Sequence, residues 1–358
     1  MTRPALILVT LMLAVGCAMP QRHVESAVSF ERQAEAALAA GDQERALSLY
    51  QQAAEHWRSV GNHKIYAATL DSIARIHKNR GDFDLAVDAW QMALSVAKYA
   101  KETDTVLRTL ANLGIVHSAW GRYGEALQFY EESLELAVTL KHDASIARIQ
   151  NNIGTVYRYQ GKLDEALARF QKALAIDRRL GDEGAIAARM ANVGTVYMDR
   201  GDYEQARKHY ETALAAARKV GDEDKIAVRL NNLGAASYSL GDYEGALIYY
   251  REALEIHNKL GQRHEAATVL SNMGSAYWYL ERYGDAEQAL GRSIDIKELL
   301  RKGATGDIRR DYLASQIDTY EWLTSTHVRT GAFEKALLAA DSSRAKYLTD
   351  QLLNAGKE

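Results

Sequence analysis

The chain has 358 residues, 47% of them hydrophobic and 25% charged, with a formal net charge of −3. Such a near-neutral balance argues against bulk electrostatic binding to nucleic acid, which needs a basic face. The single cysteine, Cys17, excludes a disulfide framework and a cysteine-based zinc site.

Residues 1–17 read as an address rather than as part of a fold. Arg3 supplies a positive start, and Ala5–Val15 is an apolar run of the length of a secretory signal core, too short to span a bilayer as an ordinary helix. The run ends Leu13-Ala14-Val15-Gly16-Cys17. This resembles the bacterial lipobox, in which a small residue precedes an obligatory cysteine. The resemblance implies lipidation at Cys17 and a mature chain starting there, held at a membrane by more than one acyl chain. Ala18, where an aspartate would resemble an inner-membrane retention signal, implies the outer membrane of a Gram-negative cell, facing the periplasm. Residues 18–27 then form a short tether.

From residue 28 the chain repeats with a period of forty. Gly41, Gly81, Gly121, Gly161, Gly201 and Gly241 are each followed five residues on by an alanine: Ala46, Ala86, Ala126, Ala166, Ala206 and Ala246. Glu281 takes the glycine's place in the seventh unit, where Ala286 keeps its own. A second set, Gly61, Gly181, Gly221 and Gly261, is also forty-spaced, with Lys101 and Lys141 in the same slot. The segment 301–311 reads as an irregular insertion that breaks the period, and the frame returns at Gly331 and Ala336. Self-similarity at a fixed period of this size is the signature of a stacked repeat architecture.

Each unit reads as two helices. In residues 230–240 the apolar and small residues Leu230, Leu233, Gly234 and Ser237 fall at steps of three and four, one face of a helix. Gly241 sits where a left-handed residue closes that helix, and Asp242 caps the next. Ala246, Leu247, Tyr250, Ala253 and Leu254 make the second apolar stripe. The recurrent alanine marks a close helix crossing. The aromatics at the ninth offset (Tyr50, Trp90, Tyr130, Tyr210, Tyr250) are expected to fill the space between units. One hairpin cannot bury both stripes, so neighbours must stack.

The run Val193, Gly194, Tyr197, Gly201, Tyr203, Ala206, Tyr210, Ala213 resembles the tetratricopeptide repeat. The resemblance implies an all-α, right-handed superhelical solenoid of about eight helical hairpins. Repeats one to seven occupy 28–300, and a degenerate eighth hairpin with a C-terminal cap occupies 312–354. The period is longer than the usual 34, and no proline follows Pro20. Both features imply lengthened helices, as in the long-repeat scaffolds of spindle orientation proteins and kinesin light chains. The capping role is expected of the helix 333–354, whose Leu337, Tyr347, Leu348 and Leu352 would otherwise form an apolar patch. The stretch from Ala336 is similar to the segment that joins such arrays to CHAT protease domains, but no protease domain follows in this chain.

No catalytic constellation is visible: no phosphate loop, no metalloprotease His-Glu-x-x-His, no nucleophile elbow. No cofactor is expected. His77, His117 and His327 share a slot with Tyr157, Tyr197 and Tyr277 and read as core aromatics with one satisfied nitrogen. His257 and His264 straddle Gly261 and are not expected to share a helix face or a metal. One column stands out. The residue two before the first-helix glycine is asparagine in five consecutive units: Asn112, Asn152, Asn192, Asn232 and Asn272, with Ser72 in the second. Asparagine is a poor helix former, so its recurrence asks for a reason. Arg108 and Arg148 stand four residues earlier, Arg189 and Arg229 three earlier, offsets that place them near the asparagines on the helix. An amide offers a donor and an acceptor, so it can pair with a peptide backbone whatever the sequence. The long-repeat resemblance implies this use on the concave face, with the arginines selecting acids and Tyr238 and Trp278 selecting apolar residues. The competing reading is that the asparagines bond neighbouring helices and fix repeat stacking. The expected function is a non-enzymatic scaffold that binds an extended, acidic protein or peptide segment and is lipid-anchored in the bacterial envelope. The alternative is an accessory subunit of an enzyme such as a CHAT-like protease supplied in trans.

Overall fold

The computed structural model describes the backbone of residues 3–303 and 306–343 and the side chains of residues 21–300 and 318–343. Every regular element among them is a helix. The chain divides into two units, residues 1–162 and 163–358.

In the first unit, α1 (Arg3–Ala39), α2 (Gln43–Ser59), α3 (His63–Arg80), α4 (Phe83–Tyr99), α5 (Thr103–Ala119), α6 (Tyr123–Thr139) and α7 (Asp143–Tyr159) follow one another, and each of α1 to α6 packs on its successor. The first helices of successive hairpins also touch, α3 on α5 and α5 on α7, so they form a layer of their own. The second unit is built the same way. It comprises α8 (Leu163–Leu180), α9 (Glu183–Arg200), α10 (Tyr203–Val220), α11 (Glu223–Ser239), α12 (Tyr243–Lys259), α13 (Arg263–Tyr279), α14 (Tyr283–Gly303), α15 (Gly306–Arg329) and α16 (333–343). Here α11 touches α13, and α13 touches α15. The stretch read as an address and tether falls on α1, and Cys17 lies outside the described side chains. The segment 301–311 is helical on both sides of residues 304–305.

One turn is used throughout. Gly81 has φ +85°, its N–H donates to the Lys78 carbonyl, and the Asp82 N–H donates to the His77 carbonyl at 3.0 Å. This is the paired closure by which a left-handed residue ends a helix. The residue after the turn is the next N-cap, and the carboxylates of Asp42, Asp182, Asp202, Asp222 and Asp242 accept the N–H three residues on. The same left-handed residue recurs every twenty positions, and Lys101, Lys141 and Glu281 hold φ of 55°, 53° and 59° where the other units have glycine.

The alanine column is the close crossing it was expected to be: Ala46, Ala86, Ala126, Ala166, Ala206, Ala246 and Ala286 are all 0% exposed. The ninth-offset aromatics are placed differently from the expectation. Their rings lie on the glycine of their own hairpin's first helix rather than only between units. A Cβ on Gly194 would come within 2.7 Å of the Tyr210 ring, and Gly114 and Gly234 face Tyr130 and Tyr250 in the same way. The glycine is therefore a socket for a ring. Trp90 fills the equivalent place over Ala74, and its Nε1 donates to Asp71 at 2.8 Å.

The histidine column is buried as expected, but its polar atoms are not uniformly satisfied. His77 Nδ1 lies 3.4 Å from Asp82, whereas both ring nitrogens of His117 lack a partner among the described residues. His117 is held by stacking on Phe129, and burial lowers its basicity. In the last hairpin Ala336 and Ala339 are buried, while Leu337 is 66% exposed. Tyr347, Leu348 and Leu352 lie outside the described residues.

Candidate binding face of the first helices

The asparagine column falls on one side of the first helices, and all five members are half-buried. Their bonds follow the sequence of the preceding repeat. Asn112 Nδ2 donates to Asp71 at 2.7 Å, and Asn272 Nδ2 donates to Asn231 at 3.1 Å. Each bond joins two first helices across a repeat boundary. The slot held by Asp71 and Asn231 is Ala111 before Asn152 and Ala191 before Asn232. With alanine there, Asn152 bonds Tyr130 instead and accepts from Asn151 at 3.4 Å. Asn232 has no side-chain hydrogen bond among the described residues. Stacking thus occupies part of the column, and the share differs from repeat to repeat.

The arginines separate into two classes, which the shared-face expectation did not anticipate. Arg108 and Arg148 are exposed and carry no ion pair among the described residues. Arg189 and Arg229 stand one residue further on, and one residue turns a helix by about 100°. Both side chains are consequently swung inward. Arg189 Nε meets Asp177 of α8 at 3.0 Å, with the two side chains 13% and 4% exposed. Burial pushes the Asp177 carboxyl up, with Arg189 pulling the other way. Arg229 is partly buried, its Nε is shut off from solvent without a partner, and burial lowers its basicity.

Tyr238 and Trp278 are half-buried members of an aromatic cluster at the turn ends of α11 to α15. Tyr243 stacks on Tyr279 at 4.8 Å, and Trp278 meets Trp322 edge-on at 5.4 Å. Burial pushes the Tyr238 hydroxyl up to about 12. Tyr279, at 45% exposed, is the cluster's open edge. Tyr279, Tyr243 and Trp322 were not singled out from the sequence, because each is an ordinary core residue type and only the turn geometry brings them together.

His257 Nδ1–H donates to Gln262 Oε1 at 2.6 Å, and Gln262 Nε2 donates to Asp224 at 2.6 Å. This ties the end of α12 to the start of α11. Among the described residues no group of three or more His, Cys, Asp or Glu side chains is placed to hold a metal ion, and no helix is long and apolar enough to cross a membrane.

A stack of two-helix repeats with a ring-in-socket core and a polar first-helix layer defines a helical repeat scaffold. Residues 25–98, 68–137, 145–219, 186–259 and 226–298 match the tetratricopeptide repeat, and the chain belongs to that family. No curated protein sequence matches the chain significantly. Among solved structures, a signal transduction ATPase of the STAND class with a tetratricopeptide repeat sensor, from Pyrococcus horikoshii, is similar over 92% of this chain with a TM-score of 0.66 and 18% identity. The similarity covers 49% of that protein, so the chain spans about half its length. A Rap protein complexed with competence and sporulation factor aligns over 91% of this chain and 98% of its own, with a TM-score of 0.54 and 16% identity. The apo quorum sensor NprR from B. thuringiensis aligns over 90% and 99%, with a TM-score of 0.53 and 17% identity. At these identities the likeness is one of fold.

Proposed function

We propose that the chain is a non-enzymatic scaffold that holds an extended, acidic protein segment on the first-helix layer and is tethered by lipid at Cys17 in the bacterial envelope. The observation that carries the binding reading is the pair Arg108 and Arg148. Both are exposed, neither has a carboxylate partner among the described residues, and each stands one turn before a column asparagine on adjoining helices α5 and α7. Exposed arginines that offer rigid forks of donors suit carboxylates, and beside them Asn112, whose Nδ2 is held by Asp71, keeps its Oδ1 as an acceptor for a ligand backbone N–H. A Rap protein of similar fold is complexed with competence and sporulation factor, which supports ligand capture as a use of this architecture.

The test is fluorescence anisotropy with labelled acidic, neutral and basic peptides of equal length. Acidic peptides are expected to bind, and the double variant Arg108→Glu/Arg148→Glu to weaken them about tenfold, a modest sum of exposed charge contacts. The loss should shrink as salt is raised. Equal binding of all three peptides, or an unaffected double variant, would reject the acidic-ligand reading. For the tether, Cys17→Ser is expected to abolish incorporation of radiolabelled palmitate in bacterial cells. Labelling that persists in this variant would remove the anchor from the proposal.

A further inference from the structure

We infer that Arg229 is an oxyanion-binding site whose counter-ion comes from outside the chain. Two successive repeats differ at equivalent positions. In one, Arg189 of α9 is neutralised by Asp177 of α8 at 3.0 Å. Forty residues on, Arg229 of α11 occupies the same place, but the position equivalent to Asp177 is Ala217, which is 2% exposed. The guanidinium is kept and its acid is gone.

Nothing else in the described residues replaces the missing carboxylate. Arg229 Nε, like Arg189 Nε, is buried without a hydrogen bond, but Arg189 has a carboxylate at ion-pair distance and among the described residues no ion pair reaches Arg229. The groups that act on it electrostatically are the Tyr210 hydroxyl and the Asp224 carboxylate. Asp224 already accepts from Gln262 at 2.6 Å, and Tyr210 is hydrogen-bonded to Thr195 at 3.1 Å. A partly buried cation left in this state is costly, and a planar fork of donors is matched by a carboxylate or phosphate. Asn232, three residues on and also without a side-chain bond among the described residues, can add a donor beside it. The side chain thus presents the chemistry of a two-oxygen anion, supplied by an acidic side chain of a bound protein or by free phosphate. The site stands on α9–α11 alone and takes from the proposed function only the expectation of an acidic partner.

The full chain supplies the test, through the variant Ala217→Asp. That change restores the acid at the position where Asp177 meets Arg189. Melting midpoints are measured in phosphate, in sulfate and in chloride at matched ionic strength, and binding of an acidic peptide and a neutral one is measured by anisotropy. In the parent protein, phosphate and sulfate are expected to raise the midpoint above chloride. Phosphate and sulfate also stabilise folded proteins without a site, so the readout is the parent's excess rise, which should be absent in Ala217→Asp and in Arg229→Met, and Ala217→Asp should have the higher midpoint in chloride. If the acidic peptide also binds and loses affinity in both variants, the natural anion is a partner's carboxylate. If only phosphate responds, it is a small anion. The inference is overturned if neither the oxyanions nor the peptide distinguishes the parent from Arg229→Met, or if Ala217→Asp leaves the oxyanion response intact. Arg108→Glu/Arg148→Glu should leave the oxyanion response at Arg229 unchanged, so failure there and failure of the acidic-ligand reading are told apart.

Discussion

Gly234→Ala is expected to destabilise the protein by about 1 kcal/mol, although alanine is the better helix former by about the same amount. The added methyl would enter the Tyr250 ring, which is 2% exposed and has no room to retreat. Overpacking of a filled core costs roughly 1–3 kcal/mol, enough to outweigh the helical gain. Tyr250→Ala is expected to cost about 3 kcal/mol or more, the range for emptying a large buried aromatic site. In that background the socket has no ring, so Gly234→Ala should change sign and stabilise by up to about 1 kcal/mol. Urea titration of the two single variants and the double variant gives the cycle. A Gly234→Ala effect of the same sign in both backgrounds would mean that the glycine is there for a reason other than the ring.

Asp177→Ala is expected to lower stability by about 3 kcal/mol, because it leaves Arg189 with a buried charge and no partner. The pair Asp177→Ala/Arg189→Met should recover most of that loss, since exchanging a whole buried ion pair for apolar groups is often near neutral. Recovery in the double variant marks the cost as that of an orphaned cation rather than of lost packing. A double variant as unstable as Asp177→Ala would contradict this account. The contrast with Arg229 is direct: Asp177→Ala would give the α9 repeat the composition that the α11 repeat already has.

The forty-residue frame, the two helices per unit and the closely packed alanines were legible because each is enforced by a local rule. A left-handed residue must close each helix, so glycine recurs. Even Lys101, Lys141 and Glu281, which break the residue pattern, keep the backbone sign. The site was legible only in part, because its chemistry depends on pairs drawn from different repeats. Which partner a column asparagine finds depends on the residue 41 positions earlier: Asp71 takes Asn112 across the repeat boundary, whereas with alanine there Asn152 turns to Tyr130 and Asn232 has no side-chain bond among the described residues. Arg148 and Arg189 look alike as neighbours of an asparagine, yet one residue of helical phase exposes the first and buries the second. The column Ala97, Ala137, Asp177, Ala217 contains one acid, and that acid sits against the first of the two inward arginines.

Among the described residues each helix packs mainly on its immediate neighbours in the chain, and the main contacts join helices at most two apart. Under a pulling force such a stack yields from its loaded end, one hairpin at a time, without waiting for a global rupture. Each hairpin of forty residues would release roughly 140 Å of chain at about 3.5 Å per residue. In single-molecule extension the force trace should therefore be a low sawtooth of nearly equal teeth. The protein would behave as a compliant spring between whatever holds its two ends.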